Sequence, residues 1–366
     1  MRITRMRLVH FRNYTDERVS FDDGIQLICG SNAQGKTNLL EALYFCSTVR
    51  SHRTAQDRDL IQNEESSFLI DLSLYRRGRS EQLRVCVNER GKNLFLHGNP
   101  VRRVSDFIGE VNAVLFCPDD MNLFTSSPRI RRRFIDIELS KLSRRYTQTL
   151  GLFQKLLKER NALLKQNALD EVYLRVLSEQ MADCEIIIMK QRQTFLQELF
   201  ALCRPFYRSL AQDDTEIGFT YHTCLDSDHL DDREMLLQKY EKGRQRDLLS
   251  GQTNIGVHKD DVTFTVDGQN VNSFASQGQK RTLLLSMKAA LCVMIKEKIK
   301  EYPILLLDDV FSELDEGRRQ RLLSILPAQM QIFISTTDHL RLNETGRPVS
   351  FYEVEGGRIL RRKGYA

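Results

Sequence analysis

The eight residues Gly30-Ser31-Asn32-Ala33-Gln34-Gly35-Lys36-Thr37 constrain this chain more than any other stretch. They fit G-x-x-x-x-G-K-[ST] and fall between a short apolar run, IQLIC at 25–29, and a helix-like apolar run beginning NLLEALYFC at 38. Strand, glycine-rich loop and helix in that order are what a phosphate-binding loop requires. Glycine lets the backbone bend until several N–H groups point at one anion, and the positive end of the helix adds to the attraction. In such a loop Lys36 reaches the β- and γ-phosphates of a nucleotide, and the Thr37 hydroxyl ligates Mg2+. A plain glycine-rich turn is the alternative.

A nucleotide site of this kind needs carboxylates near the loop. Pro303-Ile304-Leu305-Leu306-Leu307-Asp308-Asp309 reads as a strand buried in a mostly parallel sheet, ending in two carboxylates. Asp308 at its tip is placed to hold Mg2+ opposite Thr37, and Asp309 to accept a proton from an attacking water. An exposed or helix-capping Asp309 is the plainer alternative. Ser312-Glu313-Leu314-Asp315 precedes another helix, and the apolar run IFIST ends in Thr336-Thr337-Asp338, where Thr337 is a candidate γ-phosphate sensor.

A second anion site is suggested by FASQGQKR at 274–281. Ser276 is a good N-cap and Gly278 permits close backbone approach. Gln277, Gln279, Lys280 and Arg281 sit at the start of the helix that follows. The phosphate loop already covers one side of its own γ-phosphate. The economical reading is that Ser276–Arg281 serve the nucleotide of another copy, so that two heads pair head to tail about a two-fold axis with two ATP molecules between them. A capped surface helix is the competing reading.

The remainder is organised around these motifs. The 366 residues suit one large domain with an insertion, or two domains. Residues 67–96 read as an antiparallel meander with turns at RRGRS and ERGK, and 351–362 as a closing hairpin with a Gly-Gly turn. From 121 to about 209 glycine is scarce and apolar residues recur at helical spacing. Boundaries follow at 1–120 and 250–366 for the two parts of an α/β head and 121–249 for a helical insertion. Within the insertion, residues 129–166 carry eleven Lys/Arg and three Asp/Glu, and 167–234 carry six and fourteen. Either these segments attract each other or the basic one faces an anion. Its densest cluster is Arg129, Arg131, Arg132 and Arg133, with Arg144 and Arg145 beyond; Arg53, with Arg50 and His52, and Arg76, Arg77 and Arg79 are rival surfaces for a polyanion. The net charge of +5 permits a polyanionic partner without demanding one. Eight scattered cysteines without a CxxC pair argue for reduced thiols in the cytosol. The start of the chain is too polar for a signal peptide, and no apolar run approaches the ~18 residues of a membrane span.

With these residues assembled, the chain resembles the ABC-type ATPase heads of the SMC and Rad50 class, and within it the RecF recombination-repair family. The resemblance covers nearly the whole chain and rests on FRNY at 11–14, GSNAQGKTNLLEA at 30–42, SHRT at 51–54, FASQGQKRT at 274–282, ILLLDDVFSELD at 304–315 and ISTTD at 334–338. It implies an α/β fold: an ABC-type P-loop head with an antiparallel β meander and an inserted α-helical domain. It also implies ATP as ligand, an ATP-dependent homodimer that clamps DNA at gaps or single-strand/duplex junctions, slow hydrolysis that resets the clamp, and help from RecR in loading recombinase during repair, replication restart and the SOS response. Ser276–Arg281 would contact the γ-phosphate of the other copy's ATP, and Arg12 and Asn13 would lie near the base or ribose. GVHKDD at 256–261 departs from the family, which usually carries Pro and Arg where this chain has Val257 and Lys259. A lysine keeps the charge but not the planar fork.

Two other functions share part of this chemistry. A nucleotide-binding subunit of a membrane transporter would carry the same loop, but not some 240 residues between loop and signature. A small-molecule P-loop kinase leaves FASQGQKR and SELD unexplained. His222, Cys224 and His229 form a minor candidate metal set with irregular spacing.

Overall fold

Ile3, Met6 and Leu8 turn inward along β1 (Arg2–Phe11), where a bulge between Ile3 and Arg5 resets the alternation so that Ile3 and Met6 share a face. The chain reverses through Arg12 and Asn13 into β2 (Tyr14–Ser20). The meander expected over 67–96 is present as β4 (Ser67–Arg76), β5 (Arg79–Asn88) and β6 (Gly91–Leu96), followed by a short β7 (Asn99–Val101). Because β4 also pairs with β1, the antiparallel sheet runs β2-β1-β4-β5-β6-β7.

A second sheet is built from β3 (Ile25–Cys29), β8 (Ala113–Phe116), β12 (Ile304–Asp308) and β13 (Ile332–Thr336), each buried at every position. That is the signature of parallel strands covered on both faces. A C-terminal hairpin, β14 (Val349–Glu355) and β15 (Arg358–Arg362), completes the order β15-β14-β3-β13-β12-β8, with β14 parallel to β3. Helix α1 (Lys36–Thr48) is buried from Leu39 to Thr48, so it reads as a core helix with no polar face. Phe45 and Phe11 meet Phe68 edge-on at 5.7 and 5.1 Å. Gln331 ties the sheets together: its side chain accepts from Ile3 N (2.7 Å) and donates to Ile3 O (3.0 Å).

The computed structural model describes residues 1–166, 169–337 and 346–362. They fall into two units: Met1–Met121, Leu202–Asp214 and Arg281–Ala366 form the first, and Asn122–Ala201 with Thr215–Lys280 the second. The second holds α2 (Asn122–Thr125), α3 (Pro128–Leu142), α4 (Arg144–Leu163), most of α5 (Glu171–Ala211), α6 (Arg233–Ser250) and α7 (Val271–Phe274). Two helices of the first unit follow: α8 (Gln277–Ile299), whose first turn belongs to the second unit, and α9 (Glu316–Ile325).

This division differs from the boundaries read in the sequence. Residues 250–280 group with the insertion, and the insertion is not wholly helical. The cause is a strand pairing: β10 (Asp261–Val266) lies antiparallel to β9 (Ile217–His222), with β11 (Gln269–Asn270) beyond it. The second unit also encloses charged groups. Arg160, 1% exposed, donates to Asp247 and Thr253, both at 2.7 Å. Arg192, 2% exposed, donates to Asp136, Asp260 and the Val257 carbonyl, each at 2.8 Å. Buried ions in a packed interior persist only with such partners.

Candidate functional site

Between β3 and α1 the loop of residues 30–35 takes conformations few residues tolerate: Gly30 and Gly35 have φ of +153° and +124°, and Ala33 has +64°. Gly35 opens α1 without a side-chain cap, and no acidic residue lies in the first turn, so the helix presents uncapped N–H groups. Ser31, Asn32 and Ala33 are exposed on the rim, whereas Lys36 is buried. The Lys36 ammonium donates to the carbonyls of Gly30 (2.6 Å) and Ser31 (2.8 Å). Burial pulls its pKa below the ordinary lysine value, against the opposing fields of Asp309 and Asp308. A cation held over a loop with N–H groups unclaimed by side chains fits an anionic ligand.

The sheet order sets the carboxylates beside this loop. β13 lies between β3 and β12, so the C-terminal ends of all three strands fall along one edge. Thr37 Oγ1 donates to Asp308 Oδ1 at 3.0 Å, joining residues 271 apart in the chain. Ser335 Oγ donates to the same oxygen at 2.6 Å and accepts from the Asp309 amide at 2.9 Å. Asp309 adopts φ +52°, a left-handed conformation that Asp tolerates better than most residues. Its buried Oδ1 has no hydrogen-bond partner among the described residues. Hydroxyl and carboxylate oxygens at 3.0 Å form a hard-donor pair of the kind Mg2+ takes. Thr337 follows β13 and is exposed; Asp338 lies outside the described residues.

Arg12 and Asn13, expected near a base or ribose, both bond protein groups beside the loop. Arg12 forks onto Glu41 with both bonds at 2.9 Å and also donates to the Asp59 carbonyl. Asn13 donates to the Gln34 carbonyl (2.8 Å) and accepts from Asn38 (2.8 Å). Both side chains are engaged in holding protein groups around the loop. Arg53 likewise donates to Asn38 (2.8 Å) and lies 3.5 Å from Glu41. Burial lowers the pKa of His52. Four residues lie inside the quoted motifs but have no role that the sequence assigns: Tyr14, Glu41, Ser51 and Ser335. Their neighbours drew attention through motif spacing, whereas these act through contacts made only in three dimensions.

In the second unit Ser276 caps α8: its hydroxyl accepts from the Gln279 amide (3.2 Å), and the Gln279 side chain accepts from the Ser276 amide (2.9 Å). This reciprocal box matches the expected N-cap. Gln279 is turned back on Ser276, and Lys280 donates to the Asn272 carbonyl at 3.0 Å. Gln277 is exposed and Gly278 half-buried in the first turn, and Arg281 follows in the first unit. The arginine cluster is divided. Arg131 forks onto Asp261 (2.6 and 3.0 Å) and Arg132 donates to the Asp260 carbonyl, so both hold β10 and its approach. Arg133 is half-buried and Arg129 exposed, as are Arg144 and Arg145. His222 bonds Thr263, and among the described residues no cluster has the composition of a metal site. All eight cysteines are unbridged, and no described helix is long and apolar enough to cross a membrane.

The loop, the Thr37–Asp308 pair and the mixed α/β sheets define a P-loop head of the SMC kind. The family described as RecF/RecN/SMC N-terminal domain matches residues 2–359. A protein of Halalkalibacterium halodurans named DNA replication and repair protein RecF is 40% identical over all of both chains, and its namesake in Bacillus cytotoxicus is 39% identical over 92% of each. A solved structure of the recombination mediator protein RecF with ATP, from the RecFOR pathway, superposes with a TM-score of 0.91 at 27% identity, covering 99% of this chain and 97% of that one. An Smc head bound to the C-winged helix domain of ScpA shares the fold, with a TM-score of 0.55 at 15% identity over 99% and 98% of the two chains. The chain belongs to the RecF branch of the RecF/RecN/SMC family. None of these likenesses supports the transporter alternative.

Proposed function

We propose that this chain is a DNA replication and repair protein that binds ATP with Mg2+, pairs with a second copy when ATP is bound, and in that state clamps DNA at gaps or single-strand/duplex junctions. The observation that carries the nucleotide reading is the Thr37–Asp308 contact of 3.0 Å beside a phosphate loop whose lysine is buried and whose helix start is uncapped. The relatives named RecF, and the RecF–ATP structure of the RecFOR pathway, support the rest. Gly30–Thr37 would cradle the phosphates, with Lys36 released from the Gly30 and Ser31 carbonyls to neutralise them. Thr37 and Asp308 would hold Mg2+, whose charge offsets that of the phosphates. Asp309 is the group left to take a proton from an attacking water, Thr337 stands at the neighbouring strand tip, and turnover is slow. Ser276–Arg281 would meet the nucleotide of the other copy, so occupancy of ATP rather than its hydrolysis sets the paired state. RecR is the expected protein partner.

Light scattering with ADP, ATP or a slowly hydrolysed ATP analogue, on the unaltered chain and on two variants, tests this. Lys36→Ala should bind no nucleotide and stay monomeric. Arg281→Ala should bind nucleotide yet fail to pair. Constant molar mass of the unaltered chain under every nucleotide, with or without DNA, would refute the clamp.

A further inference from the structure

Two glycines at the far end of the chain touch the phosphate loop. β14 runs parallel to β3 with Glu353 beside Cys29, which brings the next residues of each strand together. A Cβ on Gly30 would come within 2.3 Å of the Val354 carbonyl. Past Val354 the hairpin turn reaches the other end of the loop: the Gly356 amide donates to Gln34 Oε1 (2.7 Å) and the Gly357 amide to the Gln34 carbonyl (3.1 Å). The same carbonyl accepts from Asn13 Nδ2 (2.8 Å), and the Tyr14 hydroxyl donates to the Gly35 carbonyl (2.9 Å).

These contacts fix peptide orientation. In a trans peptide the C=O of one residue and the N–H of the next point in opposite directions. The two turns draw on the Gln34 carbonyl, and the Gly35 carbonyl is shared between Tyr14 and the Leu39 amide of α1 (3.0 Å), so the N–H groups of Gly35 and Lys36 point away from these donors. That is how successive amides make an anion-binding concavity. We propose that the β14–β15 turn and the β1–β2 turn together clasp the phosphate loop in its anion-binding shape, with Gly357, Asn13 and Tyr14 as positioning residues for the nucleotide. The proposal rests on the nucleotide-binding reading above.

The structure supplies a matched pair of substitutions. Gly357 has φ +76°, and a Cβ there would lie 2.1 Å from the Asn13 carbonyl oxygen. Gly98, in the turn between β6 and β7, has φ +79°, and a Cβ there would meet nothing within 4 Å. Both alanine variants carry left-handed backbone strain, but only Gly357→Ala presses on the β1–β2 turn. ATP and ADP affinities of the full chain are measured by calorimetric titration well below the melting temperature, alongside the nucleotide-free melting temperature. Gly357→Ala should weaken both ligands at least about tenfold and Gly98→Ala no more than about twofold. A merely structural glycine would lower the melting temperature and leave the affinities of the folded protein alone. Unchanged affinity in Gly357→Ala overturns the proposal. Should that variant not fold, Tyr14→Phe decides: it keeps the ring, removes the donor to Gly35, and must also weaken both ligands, whereas unchanged affinity overturns the clasp. No binding by the unaltered chain would be a different result, refuting the nucleotide reading itself.

Discussion

Glu41→Gln is the sharpest test of how the surroundings of the loop are held. Glu41 is fully buried in α1 and receives Arg12 Nε and Nη2 at 2.9 Å each, the Ser51 hydroxyl, and Arg53 at 3.5 Å. Glutamine keeps the shape but removes the charge and sets an NH2 group against a guanidinium N–H. Breaking a buried ion pair from one side costs about 3–5 kcal/mol. Arg12 remains 20% exposed, so water takes up part of the loss, and about 2–3 kcal/mol is the fair expectation. For a unit of this size that is a fall of about 4–12 °C in melting temperature. The pH dependence has a definite sign. Burial pushes the Glu41 carboxyl up, but the bonds from Arg12 and Ser51 outweigh it and leave the pKa below the ordinary value of 4.5. A depressed folded-state pKa stabilises fully above that ordinary value and is lost as pH falls through the folded one. Scanning calorimetry should therefore show a constant gap between wild type and Glu41→Gln from about pH 6 to 8, closing in stronger acid. Arg7→Ala, which breaks an exposed pair with Asp16, is the control and should hardly move the transition. A fall under about 2 °C at pH 7.5, or a gap that widens in acid, would refute the reasoning.

Asp308→Asn should weaken the Mg2+ dependence of ATP binding far more than binding without the metal, because the Thr37 and Ser335 hydroxyls still find an oxygen on the amide that replaces the carboxylate; titrating Mg2+ against ATP affinity checks this. Replacing Arg129, Arg144 and Arg145 by alanine should flatten the salt dependence of DNA affinity, by about one unit of log–log slope for each phosphate no longer neutralised. Arg131→Ala should instead lower stability, since its guanidinium is spent on Asp261; a flattened slope with unchanged stability would reverse that assignment.

What could be read in advance depended on how local the cause was. The loop at 30–37, the all-buried strands at 25–29, 304–308 and 332–336, the 67–96 meander and the 351–362 hairpin declare themselves through spacing, alternation or an uninterrupted apolar run. The Ser276 cap was legible because its partner is three residues away. The pairing of β9 with β10 was not, because no pattern in IGFTYH names a strand some forty residues on as its neighbour, and the insertion boundary moved with it. Charge was the least legible. A run of arginines at 129–133 looks the same in sequence whether it faces DNA or, as Arg131 and Arg132 do, the backbone and carboxylates of 260–261. The partner of Arg12 was hidden for the same reason: it is a buried glutamate in the middle of an apolar helix.

The departure at Val257 has a physical consequence of its own. Glu185 is wholly buried, and its carboxylate oxygens accept from Tyr240 (3.2 Å) and from the Val257 amide (3.1 Å). A Cβ on Gly256 would sit 2.0 Å from Glu185 Oε1, so the carboxyl lies hard against the Gly256–Val257 segment. Burial pushes its pKa up to about 8, and the Val257 amide is the first of the groups that resist this. A raised folded-state pKa means a stabilisation that is whole below the ordinary carboxyl value and lost as pH rises through about 8. Proline has no amide to give. Val257→Pro should therefore cost about 1 kcal/mol while Glu185 is protonated and about 2–3 kcal/mol once it is ionised. Urea midpoints should show the gap between variant and wild type widening from pH 6.5 to 9, and the same substitution made together with Glu185→Gln should show a gap that does not change with pH. A flat gap in the wild-type background would mean that the Val257 amide does not hold the charge of Glu185.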